Sequence, residues 1–201
     1  IPFEGKEGYV STKYLRPFAP TFLVRQEQFS LPILRYEGDD PATANLLVQH
    51  LALLREAGKK ILTLQDFYEL LLAQEEKDVR LQPNAVLLAI SQPSNETIQD
   101  IADALRATGV RATLFFKTST LGPSGISPSI VQRLATDGHD IQSAGHTGND
   151  LRSLTNTQVS LDLAQSRQIL EDLTRRDVYA EGYEWANHSL WPTTVSVWSL
   201  Q

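Results

Sequence analysis

The chain is predicted to be an α/β protein in which parallel strands are covered by helices, and three observations predict it. Segments with helical and strand periods alternate over most of the 201 residues. Three times a helical segment stops at a glycine and runs directly into an apolar strand, at Gly58, Gly109 and Gly138. That is the αβ half of a βαβ unit. Residues 85–90, AVLLAI, offer no polar face, as a parallel strand covered on both sides requires. A (β/α) barrel and an open doubly wound sheet both satisfy these signs, and periodicity alone does not choose between them.

The first 30 residues differ from the rest: Pro2, Gly5, Gly8, Pro17 and Pro20 punctuate short aromatic runs with no helical period. Residues 8–15 read as a strand or strand–turn and 16–30 as a connector. The regular pattern opens with a strand, PILRY. A helix over 39–58 follows, with Asp40 as N-cap, Pro41 in its first turn and Leu47, Leu51 and Leu54 on one face. KKILTL reads as a strand, QDFYELLLAQ as a short helix, NAVLLAI as the buried strand. Residues 94–109 form a helix with Ile98, Ile101, Ala102 and Leu105 on one side. VRATLFF is a strand, SPSIVQRLATDG a helix with a Ser–Pro opening, and HDIQSAG a strand. The last helix begins at Thr155 and Gln158, a capping-box pair.

Composition bounds the function. The length suits one sizeable core, and 41% hydrophobic with 21% charged residues is ordinary for a globular domain. A net charge of −6 argues against a nucleic-acid partner. The absence of Cys removes disulfide and thiolate chemistry and fits an extracytoplasmic location. The chain begins at Ile1 and contains no Met, so a processed or trimmed segment is expected. No apolar run approaches the roughly 20 residues of a membrane span.

In either architecture the functional surface lies at the C-terminal strand ends. Those ends carry Glu37 and Asp39, then Ser91 and Gln92, then Lys117, Thr118 and Ser119, then His146, Asn149 and Asp150, and finally Glu181, Tyr183, Glu184 and Trp185. His146 and Asp150 stand four residues apart on a turn and are candidate ligands of one ion. The alternative is a capping histidine and an aspartate that satisfies loop amides. Ser91 has no adjacent base in sequence and reads equally as a turn residue. Tyr183 and Trp185, with Trp191 and Trp198, offer stacking surfaces for a sugar ring, or core packing. No glycine-rich phosphate loop is present, since LGPSG lacks a following Lys.

The order of segments over roughly residues 31–185 resembles the polysaccharide deacetylase (NodB-homology) family. The family's VLLTFDDG reads here as VLLAISQPS, and its G-x-x-ATFF as GVRATLFF. Its G-x-E-I-x-S-H-T-x-x-H reads as GHDIQSAGHTGND, and its L-x-x-S-x-x-x-L as LDLAQSRQILEDL. The resemblance implies a distorted (β/α) barrel that removes acetyl groups from N-acetylglucosamine polymers or peptidoglycan with zinc or a similar metal. It places the catalytic base at Ser91 and metal ligands at Gln92, His146 and Asp150. Of these only His146 has the family's residue type. Pro93 stands where the family has Gly, and the arginine of the third motif, around AEGYEWA, is missing. GKEGYVSTKYL resembles the end of a bacterial SH3-type barrel.

The expected organisation is therefore an SH3-type remnant or extension over 1–16, a linker over 17–30 and a deacetylase-like domain, whole or truncated, over 31–201. Three functions compete. The first is a glycan-binding or scaffold module of the bacterial envelope without deacetylase activity. It has no resident cofactor, a cell-wall or extracellular polysaccharide as partner, and Tyr183, Trp185 and Asn149 as sugar contacts. The second is an active metal-dependent deacetylase in which Glu37 or Asp39 serves as base and zinc or another divalent ion is retained. The third is a module that docks a protein partner.

Overall fold

The computed structural model describes residues 30–74, 77 and 79–182, with the backbone of three short strands outside that range. The expected SH3-type remnant and linker lie almost wholly outside the described residues, as do Tyr183 and Trp185. The strands are β1 (Pro2–Phe3), β2 (Lys6–Glu7), β3 (Ile33–Glu37), β4 (Lys60–Leu62), β5 (Ala85–Ser91), β6 (Thr113–Phe116), β7 (Asp140–Ser143), β8 (Ala180–Gly182) and β9 (Val195–Val197). The helices are α1 (Thr43–Glu56), α2 (Leu64–Ala73), α3 (Ile98–Thr108), α4 (Pro128–Thr136) and α5 (Asn156–Thr174).

Strand order decides between the two architectures that the sequence leaves open. The main sheet runs β3-β5-β6-β7-β8-β9, with β4 also against β5. Its pairings are parallel except for the antiparallel β8–β9. A doubly wound sheet reverses its order at a switch point. Here the order only rises, which is the winding of a (β/α) barrel.

Alternation along the strands separates two packed faces. On the outer face Tyr36, Leu88, Ile90, Leu114, Phe116 and Ile141 pack with Leu47 and Leu51 of α1, Ile98 and Ile101 of α3, Val131 and Leu134 of α4 and Leu170 of α5. On the inner face Leu87, Ala89, Phe115, Ala144 and Ala180 meet Leu64 at the start of α2. By the same period of two, Arg35, Glu37, Ser91, Thr113, Lys117, Asp140 and Gln142 belong to the inner face.

Several element boundaries differ from expectation: the helix expected from residue 94 starts at Ile98 and the strand expected from Val110 starts at Thr113, and two further shifts have side-chain causes. The α1 helix starts at Thr43 rather than at Pro41. The Asp40 carboxylate accepts from Ala42 N at 2.9 Å, and its carbonyl accepts from Thr43 N at 3.0 Å. Asp40 therefore closes a turn ahead of the helix instead of capping it. The strand before α2 ends at Leu62, because Thr63 and Asp66 form a reciprocal capping box that draws Leu64 into the helix. The Ser127–Pro128 opening of α4 and the Thr155–Gln158 capping box of α5 are as expected.

Candidate functional site

The C-terminal ends of β3 and β5 bring Glu37 and Ser91 together. Their pairing is in register, and Ser91 Oγ lies 3.1 Å from Glu37 Oε2. Arg35 completes the cluster. Its guanidinium grips the Glu37 carboxylate at 2.8 and 2.9 Å and donates to Ser91 Oγ at 3.1 Å. The serine hydroxyl proton has acceptors in Glu37 Oε2 and, at 3.3 Å, Tyr36 O. The position that the family resemblance gives to a general base thus holds a buried neutral hydroxyl inside an ion pair. Asp39, the other expected substitute base, is exposed on the following turn.

That turn is locked onto the end of β5. Gly38 N donates to Ser91 O at 2.6 Å, and a Cβ on Gly38 would sit 2.5 Å from Ser91 O and 2.6 Å from Pro93 N. Only glycine fits so close an approach. Next to it Gln92 has φ of 44°, a left-handed conformation that costs a non-glycine residue about 1 kcal/mol or more. Its N–H is anchored on Phe115 O at 2.9 Å. This strained strand end carries two neutral residues, Ser91 and Gln92.

The loop after β7 separates the other two candidates. Ala144 N donates to Phe116 O at 2.9 Å and so extends the ladder by one residue. Ala144 packs in the inner cluster, whereas His146 comes after the turn at Gly145. The His146 ring faces the helix layer. It lines an open groove of ≈ 730 Å³ with Thr118, Pro128, Gln132, Ile169 and Leu173. Its Nδ1 is 2.9 Å from Thr118 Oγ1, and Gln165 Nε2 is 3.2 Å from its Nε2. With the amide donating to Nε2, Nδ1–H donates to Thr118 Oγ1. The Asp150 carboxylate caps the turn over Leu151–Ser153 and makes a two-pronged pair with Arg152 at 2.7–3.1 Å. His146 and Asp150 are thus engaged with different partners. Asn149 is exposed, and its N–H donates to Thr147 Oγ1 at 3.3 Å.

Counting residues explains this placement. Started at Gly138, the pattern G-x-E-I-x-S-H-T-x-x-H reaches its histidines at Ala144 and Gly148. Started at the His–Thr pair, it reaches His146 and Asp150. The ladder and the inner packing of Ala144 favour the first count. On that count Ala144 and Gly145 stand at the pattern's His–Thr pair, and His146 lies two residues further on, beyond the turn and on the helix side.

Lys117 occupies the space beside Gly148. A Cβ on Gly148 would lie 2.6 Å from Lys117 Cε and 2.8 Å from its Nζ. Below, the Phe115 ring lies against Gly182, where a Cβ would come within 2.6 Å of it, and Ala89, Ala144 and Ala180 complete an apolar floor. These residues do not fit a divalent cation. A neutral hydroxyl, a carboxamide, a methyl group and an ammonium replace the carboxylate and imidazole donors that such an ion needs. Among the described residues no group of three or more His, Cys, Asp or Glu side chains could hold a metal ion.

Sequence reasoning missed Arg35 and Asp162, and it named Lys117 at a strand end without giving it a role. Arg35 is the one charge inside the apolar run PILRY, at an inner position of an alternating strand. Lys117 follows the inner-facing Thr113 and Phe115 at the same period. Asp162 shares the buried stripe Asp162, Ser166, Leu170 of α5. Its carboxylate accepts from His146 N at 2.8 Å, Thr147 N at 2.9 Å and Thr147 Oγ1 at 2.7 Å. Burial alone pushes that carboxyl up, but the three hydrogen bonds outweigh it and hold it below the ordinary carboxylate range.

No curated protein matches the chain by sequence. Among solved structures it is similar to the deacetylase PplD of Streptococcus pyogenes, with a TM-score of 0.65 at 15% identity over 76% of this chain and 73% of that one. It is similar to IcaB of Ammonifex degensii, with a TM-score of 0.63 at 16% identity over 76% and 73%. It is also similar to a de-N-acetylase of Aggregatibacter actinomycetemcomitans, with a TM-score of 0.61 at 15% identity over 76% and 78%. At these identities the likeness is one of fold. Residues 79–197, more than half of the sequence, match the family described as polysaccharide deacetylase, and the chain belongs to that family.

Proposed function

We propose that this domain binds a polysaccharide of the bacterial envelope at the mouth of its barrel without hydrolysing it. The supporting observation is the set of residues at that mouth: Ser91 in the base position with Gln92 next in sequence, Ala144 on the inner face, and the Lys117 side chain against Gly148. Hydrolysis of an acetamide by a metalloenzyme needs an ion that lowers the pKa of bound water and polarises the carbonyl. It also needs a base within hydrogen-bond reach of that water. Serine does not take a proton at neutral pH, and the nearest carboxylate, Glu37, is held by Arg35. Tyr183, Trp185 and Asn149 are the proposed sugar contacts, and the proposed location is extracytoplasmic. Among the described residues no helix is long and apolar enough to cross a membrane.

A second reading has one observation in its favour: the Glu37 carboxylate does reach the base position, 3.1 Å from Ser91 Oγ. In that reading the domain is a metal-dependent deacetylase with Glu37 as base. One experiment separates the two. The purified chain is incubated with chitin oligomers and with peptidoglycan, with and without added Zn²⁺, while acetate release and oligosaccharide binding are measured together. Saturable binding with acetate at the blank level is the expected result. Acetate release that disappears in Glu37→Gln would replace the first reading by the second.

A further inference from the structure

We propose that Lys117 supplies the mouth with a fixed positive charge where the fold's relatives would place a metal ion, and that this charge receives the carboxylate of an acidic sugar. The inference rests on the glycan-binding reading above and names the class of glycan.

Three observations carry it. First, Lys117 follows Thr113 and Phe115 on the inner face of β6, so its side chain rises from the apolar floor of Phe115, Ala89 and Ala144 into the mouth. Second, its path depends on the absence of a side chain at residue 148. A Cβ there would meet Lys117 Cδ at 2.7 Å, Cε at 2.6 Å and Nζ at 2.8 Å. Gly148 has φ of +69°, which suits glycine, so one residue serves both the turn and the cradle for the ammonium stem. Gly148 is also the position that the residue count from Gly138 gives to the family's second histidine. Third, Lys117 is partly buried, and among the described residues no acidic side chain is paired with it. Nearby charge is already matched, since Arg35 is bound to Glu37. A partly buried ammonium with no acidic partner among the described residues gains most from an anion that brings its own charge. One compact ammonium matches one monovalent carboxylate, whereas the forked arginine that would grip a phosphate in two places is already engaged.

The test uses the whole chain and two oligosaccharides of equal length. One is a hyaluronan hexasaccharide, in which N-acetylglucosamine alternates with glucuronate. The other is chitohexaose, which is uncharged. Titration calorimetry at low salt is expected to give the acidic oligomer at least a tenfold advantage, shrinking as salt is raised. Lys117→Gln is expected to abolish the advantage, while Lys117→Arg keeps part of it. Gly148→Ala, which displaces the ammonium without removing it, is expected to reduce the advantage. Equal affinity for the two oligomers, or an advantage that survives Lys117→Gln, overturns the charge proposal and leaves the glycan reading standing. Failure of both oligomers to bind overturns both.

Discussion

The two ends of the barrel are built on opposite principles. At the N-terminal end of the strands, the buried Asp140 accepts from Gln65 N, Thr113 Oγ1 and Tyr179 OH at 3.0, 3.1 and 3.1 Å, and from Gln142 Nε2 at 2.6 Å. Gln142 Oε1 in turn accepts from Tyr179 N and Ala180 N, and Thr113 Oγ1 accepts from Leu64 N. Tyr179 stacks on Tyr68 of α2 at 5.0 Å, so the same network seats the helix that closes this end. Burial pushes the Asp140 carboxyl up, and burial next to Asp140 pushes the Tyr179 hydroxyl up. At the C-terminal end, close backbone approaches at Gly38 and Gln92 hold the shape, while the side chains are a serine, an amide, an ion pair and a lysine. One end ties its polar groups into a buried network and the other presents them at the strand ends where such barrels place their functional surface.

The largest effect that sharpens this contrast is expected at Asp140. Asp140→Ala leaves the donors of Gln65, Tyr179 and Gln142 without an acceptor in a dry site, and a loss of about 3 kcal/mol or more is expected in urea unfolding. Asp140→Asn keeps one acceptor and should cost about half as much. Equal losses in the two variants would mean that charge, rather than the network, matters there. The second effect belongs to the other end. Gly38→Ala drives a Cβ into Ser91 O and Pro93 N, both backbone atoms that cannot swing away. A loss of about 2 kcal/mol is expected, together with loss of oligosaccharide binding. A variant as stable as the parent would show that the mouth is not held by its backbone.

How much of this was legible depends on the range of the interaction. Helix–Gly–strand joints at Gly58, Gly109 and Gly138 and the apolar run of β5 are local signals, and they gave the fold class. The choice of a barrel over an open sheet needs strand order, which no local period encodes. Within the site, the side of β5 that bears Ser91 could be read by alternation. The orientation of His146 could not be read from the motif, because His–Thr is conspicuous in sequence while its two-residue offset from the count that begins at Gly138 is not. Asp162 lies 16 residues beyond the His146 N–H that it binds, and only its place on a buried helical stripe signals it. The buried acid of GHDI is the counterpart of the glutamate in the family pattern, yet its partners come from β6, α2 and the approach to β8. Residues 183–194 lie outside the described residues, so the aromatic part of the expected sugar surface stands as proposal.

A smaller effect tests whether the closed end is also acid-sensitive. His139 is buried and accepts from Ala112 N through Nδ1 at 3.2 Å, which requires the neutral ring. Burial lowers its pKa, with Asp137 opposing and Arg111 and Arg106 assisting. A lowered folded value means that the native state disfavours the proton. The His139 contribution is therefore complete above the unfolded value of about 6.5 and is lost as pH falls through the lowered folded value. Asp140, with its raised value, acts in the opposite sense, so the comparison is made between variants. His139→Asn offers an acceptor that does not titrate, and its stability should fall less than that of the parent between neutral pH and the carboxylate range. Parallel pH profiles would sink this assignment.

The smallest effect is expected where function is proposed. Lys117 makes no ion pair among the described residues and lies at a rim, so Lys117→Gln should change unfolding free energy by no more than about 0.5 kcal/mol. Ser91→Ala removes hydrogen bonds to an ion pair that persists without it, and about 1 kcal/mol is expected. The contrast with Asp140→Ala is the point. If Lys117→Gln were as damaging as Asp140→Ala, the ammonium would be part of the scaffold and the mouth would be a second closed end. If it leaves stability intact while changing which oligosaccharide is held, the barrel keeps the geometry of a hydrolase and uses it for recognition.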